Sequence, residues 1–176
     1  MACLTKLNKA IVFGCAGGAI GLSELLLVNK IDIQSITVVD NEVTAIALVS
    51  GAKAYAVDCY KNGVKIAEAI RSLDAANGME QTVTVTVYDK SKDGARIVDS
   101  LLNGKFVAFG KLKDGGVIKV AGGLAGLEAA SADSDTSSAG GFTTVTMKTP
   151  DGGRGDSVMV ASTTAWTYLN ANKITG

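Results

Sequence analysis

The sequence predicts a mainly β fold, an antiparallel β-sandwich or barrel with one flanking α-helix at about residues 91–103. Three observations carry that expectation. Turn-forming residues recur about every ten positions, the spacing of short strands in a sandwich or barrel. Thr82-Val83-Thr84-Val85-Thr86-Val87-Tyr88 alternates hydroxyl-bearing and apolar side chains, so it reads as a strand with one dry face and one wet face. Between Ser91 and Asn103, Ala95, Val98, Leu101 and Leu102 recur at helical spacing, with Arg96, Asp99 and Ser100 on the other side of the cylinder.

In chain order, residues 1–8 read as an arm with little periodicity. Lys9 to Gly14 reads as a first strand, broken by Gly14, Gly17, Gly18 and Gly21, and an apolar run resumes from Glu24 to Val28. Ser35–Val39 and Glu42–Leu48 flank Asp40-Asn41, a pair suited to a two-residue hairpin. Lys53 to Tyr60 alternates again. Val64 to Leu73 fits a helix through Ile66, Ala67, Ile70 and Leu73 and also fits a strand; Asn77-Gly78, just before the Thr/Val strand, favours a hairpin arm. Gly104 stands where a helix C-cap belongs. Phe106–Phe109 and Val117–Val120 form a second hairpin around Lys113-Asp114-Gly115-Gly116. Ala132 to Gly141 is small and polar and reads as a loop, Phe142–Met147 as a strand, Pro150–Gly153 as a turn and Ser157–Ala161 as a last strand. Ala165 to Gly176, with the only tryptophan, Trp166, reads as an ordered or partly ordered tail. The tally is about nine strands and one helix.

Bulk properties narrow the function classes. The 176 residues suit one domain, which at that length buries roughly 70% of the surface its unfolded chain exposes. There are 17 basic and 17 acidic residues, no histidine, 47% hydrophobic residues and a mean hydropathy of +0.28. A solitary small domain usually keeps its net charge away from zero and its apolar patches small. A neutral chain also lacks the basic footprint of a nucleic-acid binder. Cys3, Cys15 and Cys59 are too irregularly spaced for a disulfide framework or a zinc ribbon, and are expected to be reduced thiols. No apolar run approaches a membrane span and no secretory signal is evident, so synthesis in a cytosol is expected.

The chemistry-bearing motifs are weak. Strand, glycine cluster Gly14–Gly21, then a strand ending at Asp40 outlines a dinucleotide-binding unit, but the glycines miss the G-x-G-x-x-G order and a helix would have to fit into Leu22–Ile31. Arg154-Gly155-Asp156 reads as a turn. Asp133 and Asp135 lack the further ligands of a calcium loop. Without histidine the commonest general base is missing, and no serine or cysteine lies in a nucleophile elbow; Cys15, the one candidate nucleophile, suits a small buried position. No catalytic residue, cofactor or metal is expected.

Two blocks carry a resemblance. The first runs through Met1-Ala2-Cys3, Gly14-Cys15, Gly17-Gly18, Leu22-Ser23-Glu24 and Asn29-Lys30-Ile31-Asp32-Ile33; the second through Leu102-Asn103-Gly104-Lys105-Phe106-Val107, Asp114-Gly115, Gly126-Leu127-Glu128-Ala129 and Gly140-Gly141-Phe142-Thr143. In this order around one helix they resemble the tail tube, or major tail, proteins of tailed bacteriophages, over roughly residues 1–148. Lys148-Thr149-Pro150 and the longer ending depart from that pattern, leaving 150–176 as a C-terminal extension of a single domain. The resemblance implies a structural virion protein without catalytic residues. Its copies form hexameric rings that stack, alongside other tail proteins, into a conduit for DNA. On that reading Thr82, Thr84 and Thr86 line the lumen or a subunit seam, Val83, Val85 and Val87 face the helix, and Asp133, Asp135 and Ser137 form an inter-subunit loop. The alternatives are a ligand-binding sandwich and a dinucleotide-binding protein using the Gly14–Gly21 region.

Overall fold

The computed structural model describes residues 21–60, 63–71, 78–114, 116–137, 140–150 and 157–175. The strand read at Lys9–Gly14, most of the glycine cluster, Cys3, Cys15, the Asp151–Gly153 part of the turn and Arg154-Gly155-Asp156 lie outside them.

The described chain is mainly β, with strands β1 (Leu22–Asn29), β2 (Ile33–Val39), β3 (Glu42–Leu48), β4 (Ala54–Val57), β5 (Val64–Arg71) and β6 (Gly78–Val87), then helix α1 (Lys92–Asn103). It continues with β7 (Lys105–Leu112), β8 (Ile118–Ala121), β9 (Leu127–Ser134), β10 (Thr143–Lys148), β11 (Met159–Ala161), helix α2 (Thr163–Ala171) and β12 (Lys173–Ile174). All the strands belong to one continuous sheet whose main path runs β2-β3-β11-β8-β7-β9-β10-β6-β5, with β1 on the other side of β7 and β4 and β12 beyond it. Pairing is antiparallel, as expected, except for two short parallel contacts, β11 with β3 and β12 with β4.

The strand pair β1 and β7 organises the packing. Leu25, Leu26, Leu27 and Val28 are all buried, as are Phe106, Val107, Ala108 and Phe109. Successive side chains of a strand point to opposite faces, so a continuous apolar run is stable only where both faces are covered. Leu26, Val28, Val107 and Phe109 enter one core with Val43, Ile46, Val120, Met159, Trp166 and Leu169. Leu25, Leu27, Phe106 and Ala108 enter a second with Val83, Val85, Val87, Val145, Met147 and Leu101. One arm of the sheet, through β8, β11, β3 and β2, therefore closes over one face of the central pair. The other arm, through β9, β10, β6 and β5, closes over the opposite face beneath α1.

Gln81 joins the arms. It is fully buried on β6, where its two Nε2 hydrogens are shared among Glu68 Oε1 at 3.2 Å, Val120 O at 3.3 Å and Ser157 O at 3.4 Å, and its Oε1 accepts from Gly122 N at 2.8 Å. A buried amide with its donors and acceptor engaged is stabilising, whereas the same groups left alone would be costly.

Local chemistry explains the boundaries. Asp40 and Asn41 hold φ of 48° and 65°, the left-handed pair that a two-residue turn demands and that these side chains tolerate. The Ser91 hydroxyl caps α1 by accepting from the amides of Asp93 and Gly94. Asp89 accepts from Ser91 N and Ser91 Oγ, both at 2.8 Å, and these bonds, the backbone one foremost, hold its carboxyl below the usual carboxylate value. Any stability from this turn is present above the ordinary carboxylate pKa and is lost as pH falls through the lowered one. Gly104 does not end the helix in the left-handed form expected of a C-cap glycine, since its φ is −94°. It is required instead by crowding, because a Cβ there would lie 2.6 Å from Phe106 Cε2 and 2.7 Å from Ser100 O.

Gly94 is likewise not merely a weak helix former. A Cβ would meet the Asp89 carbonyl oxygen and lie 2.7 Å from its carbon, so the backbone itself blocks a side chain. Gly94→Ala should therefore destabilise the fold by about 1–3 kcal/mol, although propensity alone favours alanine by about 1 kcal/mol. Urea unfolding would decide, and a gain in midpoint would refute the clash.

Three expectations need correction. The stretch read as a loop from Ala132 begins as strand, because Asp133 and Ser134 pair with Thr144 and Thr143. The tail contains a real helix: Ser162 Oγ accepts from Ala165 N at 3.2 Å, and Ala165, Trp166 and Leu169 are buried beneath α2. The chain read as nine strands forms twelve among the described residues.

Candidate assembly surface

The outward face of β6 is a hydroxyl strip that its neighbours extend. Thr84 sits opposite Thr146, Thr86 opposite Thr144 and Thr82 opposite Lys148, and directly opposed residues in a sheet share a face. Beyond them Thr146 faces Ser131 and Thr144 faces Asp133; on the other side Thr84 faces Lys65 and Thr82 faces Ala67. Thr86 and Thr144 hydroxyls lie 3.2 Å apart. The strip carries small and polar groups and no large aliphatic. Its intervening residues, Val83, Val85 and Val87, are buried in the core that includes Leu101 of α1.

The ends of this face are fixed differently. Lys148 Nζ pairs with Glu80 Oε1 at 3.1 Å at one end. At the other, Tyr88 packs edge-on against Tyr60 and Phe142, its hydroxyl donates to Tyr60 O at 3.0 Å, and Lys90 Nζ lies 4.7 Å from the Phe142 ring centre. Thr144 and Thr146 were legible in the sequence, since Thr143-Thr144-Val145-Thr146 repeats the β6 alternation in shorter form.

Asp133, Asp135 and Ser137 do not form one loop cluster. Asp133 stands in β9 beside the threonine strip, while Asp135 Oδ1 accepts from Ser137 N and Ser137 Oγ, both at 2.7 Å, closing its own turn.

The open edges are a separate feature. Among the described residues β2 and β5 end the main sheet path, each paired on one side. β2, Ile33-Gln34-Ser35-Ile36-Thr37-Val38-Val39, contains no charge and no proline and is mostly exposed. Soluble proteins usually blunt such a strand with lysine, proline or a cover, because its free amides and carbonyls template another strand. Some of the exposed aliphatics lie on or beside the edges: Val38 and Val39 on β2, Ile31 at its base and Ile70, 77% exposed, on β5.

A third feature is a groove of about 930 Å³ between α1 and β4. Leu27, Val85 and Phe106 form its floor, and Tyr55, Ile97 and Ile174 are exposed along it.

Leu22–Asn29, where a dinucleotide unit would place its helix, is the strand β1, so no helix begins directly after Gly21. Burial, followed by the Asp58 carboxylate, pushes the Cys59 thiol above its ordinary value, which keeps it protonated and weakly nucleophilic at neutral pH. Among the described residues no cluster of histidine, cysteine and carboxylate side chains is arranged to hold a metal, and no helix is long and apolar enough to cross a membrane.

The chain matches no family model, and no curated protein or solved structure is significantly similar to it.

Proposed function

We propose that the chain is a structural protein that assembles with copies of itself into stacked rings, the tube of a bacteriophage tail, through which DNA passes. The observation that carries this reading is β2, a seven-residue uncharged edge strand exposed along most of its length. Zero net charge supports it, since a protomer enclosed by neighbours does not depend on like-charge repulsion to remain dispersed. The threonine strip suits a bore, because hydroxyls without a basic patch offer DNA no dense phosphate-binding surface.

Negative-stain microscopy of the purified chain is the direct test. Annuli or rods are expected; a monodisperse monomer at high concentration would sink the reading. Thr84→Leu should leave those rods intact if the strip faces the bore, whereas their loss would put Thr84 in a contact between copies.

The groove between α1 and β4 favours a second reading, a ligand-binding sandwich, because its volume lies within the ordinary range for small-molecule sites. That protein would purify as a discrete small species and lose its ligand on Ile97→Arg.

A further inference from the structure

We infer that the seam between copies joins two different edges: β2 of one copy lies along β5 of the next, continuing the sheet from chain to chain. This rests on the assembly reading above and specifies the partner surface of its open edge.

Symmetry supplies the first argument. If β2 paired with β2 of a second copy, the contact would be two-fold and would close at a dimer; a ring or filament needs two unlike surfaces on each protomer. Among the described residues three strands are paired on one side only, β2, β5 and β12, and β12 is two residues long. β5 is therefore the remaining edge that can receive β2, and the lengths agree, with seven residues in β2 and eight in β5.

Charge supplies the second. Beside β5 lies a shallow groove of about 390 Å³ lined by Leu22, Val64, Ile66 and Leu112. Three charged side chains line it: Lys119 and Glu68 pair with each other at 3.0 Å, and Lys65 is exposed to water. An arriving β2 carries no charge of its own to desolvate and none to repel the Lys65 ammonium. Exposed aliphatics on both edges, Val38 and Val39 on one and Ile70 on the other, lose water together in such a seam.

Cysteine cross-linking tests this on the full chain, with Cys3, Cys15 and Cys59 first changed to serine and assembly of that background confirmed by microscopy. Thr37→Cys on β2 and Ala69→Cys on β5 are both exposed, and Ser35→Cys and Lys65→Cys sample a second register. Under mild oxidation, a mixture of a β2 variant with a β5 variant should form a disulfide dimer many-fold faster than either alone. Rods that form while cross-links appear only between two β2 cysteines, or not at all in either register, would overturn the seam and leave assembly standing. A background that forms neither rings nor rods while wild type does would be replaced by Cys59 retained, since that thiol is half-buried. Wild type without rings or rods would remove the assembly reading and this seam with it.

Discussion

With lysine in place of both Thr37 and Val39, the chain should remain a lone protomer under conditions where the wild type forms rods. Both positions lie on the open edge, and both side chains already face water, Val39 being 53% exposed. Substitutions at such sites usually change stability by no more than about 0.5 kcal/mol, so the circular dichroism spectrum and melting midpoint should scarcely move. Edge pairing, by contrast, would have to carry two ammonium groups into the seam or its margin, the device by which natural sheets refuse partners. Sedimentation velocity and microscopy on the same sample read both quantities. Rods of ordinary length would remove β2 from the seam, while an unfolded variant would be recognised from its spectrum and replaced by Thr37→Lys alone.

Trp166→Ala should cost about 3–5 kcal/mol in the unfolding free energy. The indole is 6% exposed and belongs to the core shared by Val43, Leu48, Phe109 and Met159. Ala165 and Leu169 of α2 share that core, and at the helix margins Ser162 Oγ donates to Thr44 O at 3.1 Å and the Tyr168 hydroxyl accepts from Leu48 N at 3.2 Å. Removing the ring leaves a void that neighbouring β-branched side chains on β3 cannot fill without leaving their rotamers. Urea unfolding followed by far-ultraviolet circular dichroism would measure the loss. A change below about 1 kcal/mol would refute the indole's part in that core.

Where local pattern and tertiary demand agreed, the residues announced their structure. The Thr/Val alternation of β6, the Asp40-Asn41 turn, and the stripe and length of α1 were all readable, because each is decided within a few positions. β9 beyond Ser131 was not, since Ala132, Asp133 and Ser134 are indifferent strand formers that extend only because β10 lies beside them. α2 was obscured by Thr163, Thr164 and Thr167, whose branching lowers helix propensity, although Ser162 ahead of Ala165, Trp166 and Leu169 carried the cap and the spacing. As for the candidate surface, the threonine strip was half visible. The open edges were not visible at all, because which strands end a sheet depends on pairings far apart in sequence.

The twice-covered pair at the centre also sets a schedule for synthesis. Leu26 lies opposite Phe109, so β1, with its apolar run Leu25–Val28, cannot find its principal neighbour until β7 has been made. At ordinary translation rates that wait is on the order of ten seconds, during which four consecutive buried residues, Leu25 to Val28, have no native partner on that side. Such a nascent chain depends on holding factors, or on a slow enough rate of collapse, to escape clumping while the ribosome is still at work.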